Sequence, residues 1–96
     1  MELDSLDIID YWFSEKSSKY WFSSTPEIDK EIKRRYEELW QSAADGMYDD
    51  WQNSAEGSLA LVIILDQFPL NMFRGQPKSF QTESKAVKIA LNAINH

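Results

Sequence analysis

The amino-acid sequence predicts an all-α fold, with about four main helices in a single domain over residues 1–96. Apolar residues recur at steps of three and four in several stretches, and residues that start and stop helices flank those stretches. The one segment that could form a strand has no second candidate strand to pair with. We expect helices near residues 4–13, 26–44, 54–67 and 80–94.

The first two predicted helices have recognisable starts. Asp4 or Ser5 can cap the first helix, because their short side chains accept hydrogen bonds from backbone N–H groups of the first turn. Thr25 can cap the second, and Pro26 suits its first position, where a helix has no use for the missing N–H. Gly46 is the residue type that commonly ends such a helix.

An aromatic motif occurs twice in the first quarter of the chain. Tyr-Trp-Phe-Ser stands at residues 11–14 and again at residues 20–23, on either side of a polar loop. Packing of both motifs against one core is the favoured interpretation, because large rings supply much of the area that a small domain must bury. An aromatic cage around a ligand is the alternative.

The third predicted helix contains a fully apolar run over residues 59–65. A buried strand is the alternative, and the β-branched residues 62–64 favour it locally. Without a partner strand, a buried central helix is the better interpretation. Pro69 should end this helix near Gln67, because a proline disfavours the α conformation in the residue before it, here Phe68.

The central helix is apolar all round and needs neighbours on every side, but only three other helices are predicted. Part of the apolar surface of this helix and of the amphipathic last helix should therefore lie bare. The candidates are Leu59, Leu61, Ile63, Val87, Leu91 and Ile94. A soluble monomer rarely leaves a large apolar patch open to water, so we expect a two-fold homodimer. The alternative is a monomer in which the aromatic segments at Trp12 and Trp21 cover that face.

The composition narrows the classes of function. The net charge is −6 and the pI about 4.6, so the surface should repel nucleic acids and anionic membranes. The chain has no cysteine, which excludes disulfides and thiolate chemistry. No signal-peptide pattern is visible, and we expect a cytoplasmic location.

Catalysis by this chain alone is not expected. The only histidine is His96, so neither a catalytic triad nor a histidine-ligated metal site has the residues that it needs. The three glycines form no phosphate-binding loop. We expect no metal and no cofactor.

A polar set follows the apolar run and is the candidate binding site: Asp66, Gln67, Asn71 and Arg74. An aspartate in the last turn of a helix opposes the helix dipole, at a cost of about 0.3–1 kcal/mol unless it is paired. The favoured interpretation is that Arg74 folds back as the ion-pair partner of Asp66, while the two amides satisfy loop carbonyls. The alternative is a pocket in which these side chains bind a small anion or a peptide end.

The segments ADGMYDDW and SLALVIILDQFPLNMFRGQPKSF, with the Trp-Phe pairs at residues 12–13 and 21–22, resemble the bacterial domain-of-unknown-function family 924. The resemblance covers nearly all of this chain but only about the first half of a usual member. It implies a tetratricopeptide-like helical array, which would present grooves to a partner. It implies no reaction.

Two departures from the family pattern matter. The family usually has a basic residue where this chain has Leu70, and its later His-Ser-Glu signature would lie beyond His96. A composite site built from both halves would therefore have one side here. We predict a protein-interaction or self-associating module that binds neither nucleic acid nor membrane; half of a small-ligand-binding or enzymatic domain is the alternative.

Overall fold

The computed structural model describes residues 4–21 and 23–94, and these residues form helices and turns without a strand. The helices within those ranges are α1 (Ser5–Trp12), α2 (Glu15–Ser18), α3 (Pro26–Ala44), α4 (Ala55–Val62), α5 (Phe68–Met72) and α6 (Glu83–Ile94). Shorter 3₁₀ turns cover Asp49–Asn53 and Pro77–Phe80, and a π-helical turn covers Ile63–Gln67. The all-α prediction is confirmed, and the strand alternative for residues 59–65 is wrong.

The predicted caps of the first two helices are those of the structure, whereas the last helix starts at Glu83 rather than near residue 80. Asp4 and Asp7 form a reciprocal capping box, in which each carboxylate accepts a hydrogen bond from the other residue's backbone N–H. The Thr25 hydroxyl accepts from the Ile28 N–H at 3.3 Å, and Pro26 is the first residue of α3. Gly46 follows α3 with a φ of 92°, a conformation that favours glycine.

The predicted stop at Gln67 is wrong, because the chain stays helical through Pro69. Phe68 has a φ of −57° and a ψ of −42°, so it keeps the α conformation that the following proline disfavours. The π turn lies immediately before this point, and the Phe68 N–H donates to the carbonyl of Ile63, five residues earlier. A π turn widens the helix locally, which makes room for a proline ring that would otherwise clash with the preceding turn.

Aromatic rings fill the centre of the core between α1, α3 and α5. The rings of Tyr36 and Phe68 stack with centroids 4.6 Å apart, and Tyr11 meets Tyr36 edge-on at 5.2 Å. Trp40 is fully buried and meets Phe73 edge-on at 4.9 Å. Such offset and edge-to-face pairs are the arrangements that aromatic quadrupoles favour, and they fix α3 against α5.

Helix α6 packs on α4 and on the end of α3. The Lys85 ammonium donates to the carbonyl oxygen of Ala43 at 3.1 Å and lies 3.0 Å from the Asp49 carboxylate. Ala86 and Ile89 are the buried residues of α6. A cation near the last carbonyls of α3 is also favoured by the dipole of that helix.

Only some of the six apolar residues that were predicted to lie bare are exposed in the structure. Leu61 and Ile63 are buried, whereas Leu59 is exposed on α4. Val87, Leu91 and Ile94 are exposed on α6. In the described part of the chain, no helix combines the length and the apolar character that a membrane crossing requires.

Candidate functional site

The Asp29 carboxylate is the centre of a polar cluster that joins α3 to the segment after α5. Asp29 lies in the first turn of α3, where the helix dipole favours a negative charge. The Arg74 guanidinium donates from Nε to Asp29 Oδ2 at 2.7 Å and from Nη2 to Oδ1 at 3.1 Å. This is the two-point geometry by which arginine recognises a carboxylate.

Two neutral side chains also donate to the Asp29 carboxylate. The Ser24 hydroxyl donates to Oδ1 at 2.8 Å, and Asn71 Nδ2 donates to the same oxygen at 2.9 Å. Asn71 Nδ2 also lies 3.2 Å from the Ser24 hydroxyl oxygen. The carboxylate thus bonds to three side chains from two separate segments, residue 24 and residues 71–74, and its orientation is fixed.

These contacts shift the acidity of both charged groups. Burial alone would raise the pKa of Asp29, but the hydrogen bonds from Arg74, Ser24 and Asn71 outweigh it and lower that pKa below its ordinary value. The hydrogen bond to Asp29 raises the pKa of Arg74. Both groups are therefore charged across the physiological pH range.

The structure divides the four predicted site residues into two pairs. Asn71 and Arg74 meet in the Asp29 cluster, whereas the Gln67 side-chain amide donates to the Asp66 carboxylate at 2.7 Å. The predicted ion pair between Asp66 and Arg74 is wrong, because Arg74 pairs with Asp29 instead. Since the helical segment continues to Met72, Asp66 is not in its last turn, and the dipole penalty that motivated the pairing is absent.

Sequence reasoning missed Asp29 and Ser24. Asp29 has a sufficient local explanation, since an acidic residue in the first turn of a helix is favourable without any partner. Its arginine follows 45 positions later, and no spacing rule connects residues so far apart. No pattern in the sequence therefore indicates the pairing of Asp29 with Arg74.

A groove lies beside this cluster, and we call it the Arg74 groove. It has a volume of about 630 Å³. Its lining includes the side chains of Trp21, Leu70, Asn71, Arg74, Pro77 and Phe80. Asp66 and Gln67 do not line it. Its size falls within the roughly 300–1,000 Å³ that is usual for small-molecule pockets.

The two aromatic motifs have different roles in this arrangement. Trp12 is buried in the core, as predicted. Trp21 stacks on Trp12 with ring centroids 5.7 Å apart, meets Phe13 edge-on at 5.4 Å, and donates from Nε1 to the Trp12 carbonyl at 3.0 Å. It remains 37% exposed and forms a wall of the Arg74 groove. Phe22, also part of the second motif, lies outside the described residues.

A metal would find no obvious ligand set in residues 4–21 and 23–94. No group of three or more histidine, cysteine, aspartate or glutamate side chains converges there. His96 lies outside the described residues. The chemistry that the Asp29 cluster and the adjoining groove offer is recognition by a positioned guanidinium and an aromatic wall.

Comparison with known proteins gives a family and a fold, without a function. The family described as "Bacterial protein of unknown function (DUF924)" matches residues 8–96. A solved structure of a protein of unknown function from Agrobacterium tumefaciens is similar, with 35% sequence identity and a TM-score of 0.88. The match covers 95% of this chain and 51% of that one, so this chain spans about half the length of that relative. No curated protein matches.

Proposed function

The chain belongs to the bacterial family of unknown function DUF924, and from its own surface we propose that it is a self-associating helical interaction module. The observation that carries the proposal is an uncovered apolar stripe on α6, formed by Val87, Leu91 and Ile94. These side chains are 51%, 53% and 79% exposed. Their spacing of four and three residues places them along one line of the helix.

This stripe is additional to the packed face of α6. Ala86 and Ile89 are each 2% exposed and already fix the helix to the core. A helix that only closes a core needs one apolar face, with polar residues on the other side. The second line of large aliphatic side chains supports contact with a further helix.

A second copy of the chain is the occupant that we propose for the stripe. It offers an identical aliphatic line, and two identical lines can pair about a two-fold axis. Aliphatic side chains with few charges are also what the centre of a homodimer interface contains. Stacking of one helix on another at this stripe is also how a tetratricopeptide-like array extends.

Sedimentation equilibrium at micromolar concentration tests this proposal. We expect the chain to have twice its monomer mass of 11.2 kDa. Leu91→Glu should give a monomer, because dimerisation would bury two unpaired carboxylates. Leu6→Glu is the matched control, since Leu6 is exposed on α1 outside the stripe, and it should remain dimeric. A wild-type monomer, or a dimer that survives Leu91→Glu, would overturn the proposal.

We also propose a cytoplasmic location for the chain. The absence of cysteine supports it, because secreted small domains commonly depend on disulfides.

One observation favours the second candidate function, a small-ligand-binding domain. It is the Arg74 groove, which lies beside the cluster that holds Asn71 and Arg74.

A further inference from the structure

Among the described residues that line the Arg74 groove, Arg74 is the one charged group, and a set of hydrogen bonds supports it. The Arg74 side chain is 57% exposed, and an ion pair at such a position contributes little to folding. Yet Asp29, Asn71 and Ser24 form a connected set of hydrogen bonds behind it. Supporting bonds of this kind are what a binding site needs to keep a recognition group in place.

The guanidinium retains donors for a ligand. An arginine has five N–H groups in a planar fork, and two of those on Arg74 donate to Asp29. Among the described residues, no acceptor bonds to the other three. A carboxylate is the group that fits such a fork best, since it can accept two parallel hydrogen bonds and carries the complementary charge.

The rest of the groove suits an apolar group attached to that carboxylate. Trp21 is immobilised by its stacking on Trp12 and by its hydrogen bond to the Trp12 carbonyl, and it leaves part of its ring open. Leu70 and Phe80 are exposed around the same depression. Single exposed apolar side chains are ordinary, but several around one concavity with a positioned polar group are typical of a ligand site.

We propose that the Arg74 groove binds carboxylates that carry an aromatic or aliphatic group, with the carboxylate on Arg74 and the apolar group against Trp21 and Phe80. A small free acid and the C-terminal residue of a peptide share this chemistry. The proposal is independent of dimerisation through the α6 stripe, since the groove shares no residue with that stripe.

NMR titration of the ¹⁵N-labelled chain tests the proposal with two acids and a neutral control. The acids are phenylacetate and N-acetyl-Ala-Ala-Phe with a free C-terminus, and the control is phenylacetamide. We expect either acid to shift the Trp21 indole and Arg74 Nε–H signals in a saturable way. Phenylacetamide should bind about tenfold more weakly or worse, because it lacks the charge that strengthens the hydrogen bonds to arginine.

The two acids distinguish the source of the ligand. Binding of phenylacetate supports a site for small acids, and binding of the peptide alone supports a site for chain ends. Equal binding of phenylacetate and phenylacetamide, or shifts that avoid both Trp21 and Arg74, would overturn the proposal. The absence of any saturable shift with both acids at millimolar concentration would also overturn it.

Two arginine variants complete the test. Arg74→Gln should reduce the affinity for the acids about tenfold or more, and should reduce that for phenylacetamide much less, because the amide has no charge to pair with the arginine. Arg34→Gln is the matched control, because Arg34 is exposed on α3 and does not line the groove, and it should bind as the wild type does. If Arg74→Gln unfolds, the acid and amide comparison on the wild-type chain still decides the proposal.

Discussion

The Thr82 hydroxyl donates a 2.6 Å hydrogen bond to the carbonyl oxygen of Leu65. Leu65 is four residues before Pro69, so in an α-helix this carbonyl would accept from an N–H that proline does not have. The Trp40 indole in turn donates to the Thr82 hydroxyl at 3.0 Å. One buried threonine therefore satisfies the acceptor that the proline leaves open and a donor from α3.

We expect Thr82→Val to destabilise the fold by about 2–4 kcal/mol, because it leaves the Leu65 carbonyl and the Trp40 N–H buried without partners. Thr82→Ser is the control, since it keeps the hydroxyl and should cost about 1 kcal/mol for the lost methyl group. Urea unfolding followed by circular dichroism measures both. A serine variant less stable than the valine variant would contradict this role.

The same contact explains why the helix stop was predicted wrongly. The rule that a proline ends a helix is local, and it describes Phe68 without its surroundings. Here the π turn makes room for the proline ring and the Thr82 hydroxyl satisfies the Leu65 carbonyl, so the helix continues; Thr82 lies 17 positions after Leu65 and is invisible to a local rule. The starts at Asp4 and Thr25 were predictable because each depends on residues within one turn.

The Asp29 cluster predicts unequal effects for its two charged members. Arg74→Ala should cost less than about 1 kcal/mol, because the arginine is mostly exposed. Asp29→Ala should cost about 2–3 kcal/mol, because Asn71 and Ser24 lose their shared acceptor. Urea unfolding at one fixed protein concentration compares them, since dimerisation would couple to stability. A larger loss from Arg74→Ala would mean that the arginine supports the fold.

Acid should destabilise the protein partly through Asp29, whose pKa is lowered by its hydrogen bonds to Arg74, Ser24 and Asn71 against the effect of burial. The unfolded chain then binds this proton at higher pH than the folded chain. Stability from Asp29 is therefore full above its unfolded pKa of about 3.9 and is lost as the pH falls through the folded value.

Asp29→Asn removes this titration, so the free energy of unfolding should fall less steeply between about pH 6 and pH 3 than in the wild type. Part of the acid sensitivity should remain. Hydrogen bonds from Lys16 and Tyr11 lower the pKa of Glu31 and act in the same direction. Equal slopes for Asp29→Asn and the wild type would contradict the prediction.

The candidate site was only half predictable for a similar reason. Asn71 and Arg74 were noticeable as polar residues at the end of an apolar run, and both belong to the observed cluster. Their partner Asp29 is fixed by the packing of α3 on α5, and no pattern along the chain reports that packing. Tertiary partners of this kind become visible only when the helices are placed.

Gly57 should not tolerate alanine, although alanine favours helices by about 1 kcal/mol over glycine. Gly57 is in the first turn of α4, and a Cβ there would overlap the backbone carbonyl of Trp51 and lie 3.0 Å from the Ser54 hydroxyl oxygen. A backbone carbonyl cannot rotate away as a side chain can, so α4 and the 3₁₀ turn before it would have to separate. We expect Gly57→Ala to lower the free energy of unfolding by about 1–3 kcal/mol, as in other overpacked sites.

Glu56→Ala is the neighbouring exposed control, and its free energy of unfolding should stay within about 0.5 kcal/mol of that of the wild type. Urea unfolding of both variants decides the point, and a more stable Gly57→Ala would mean that helix propensity outweighs this close approach.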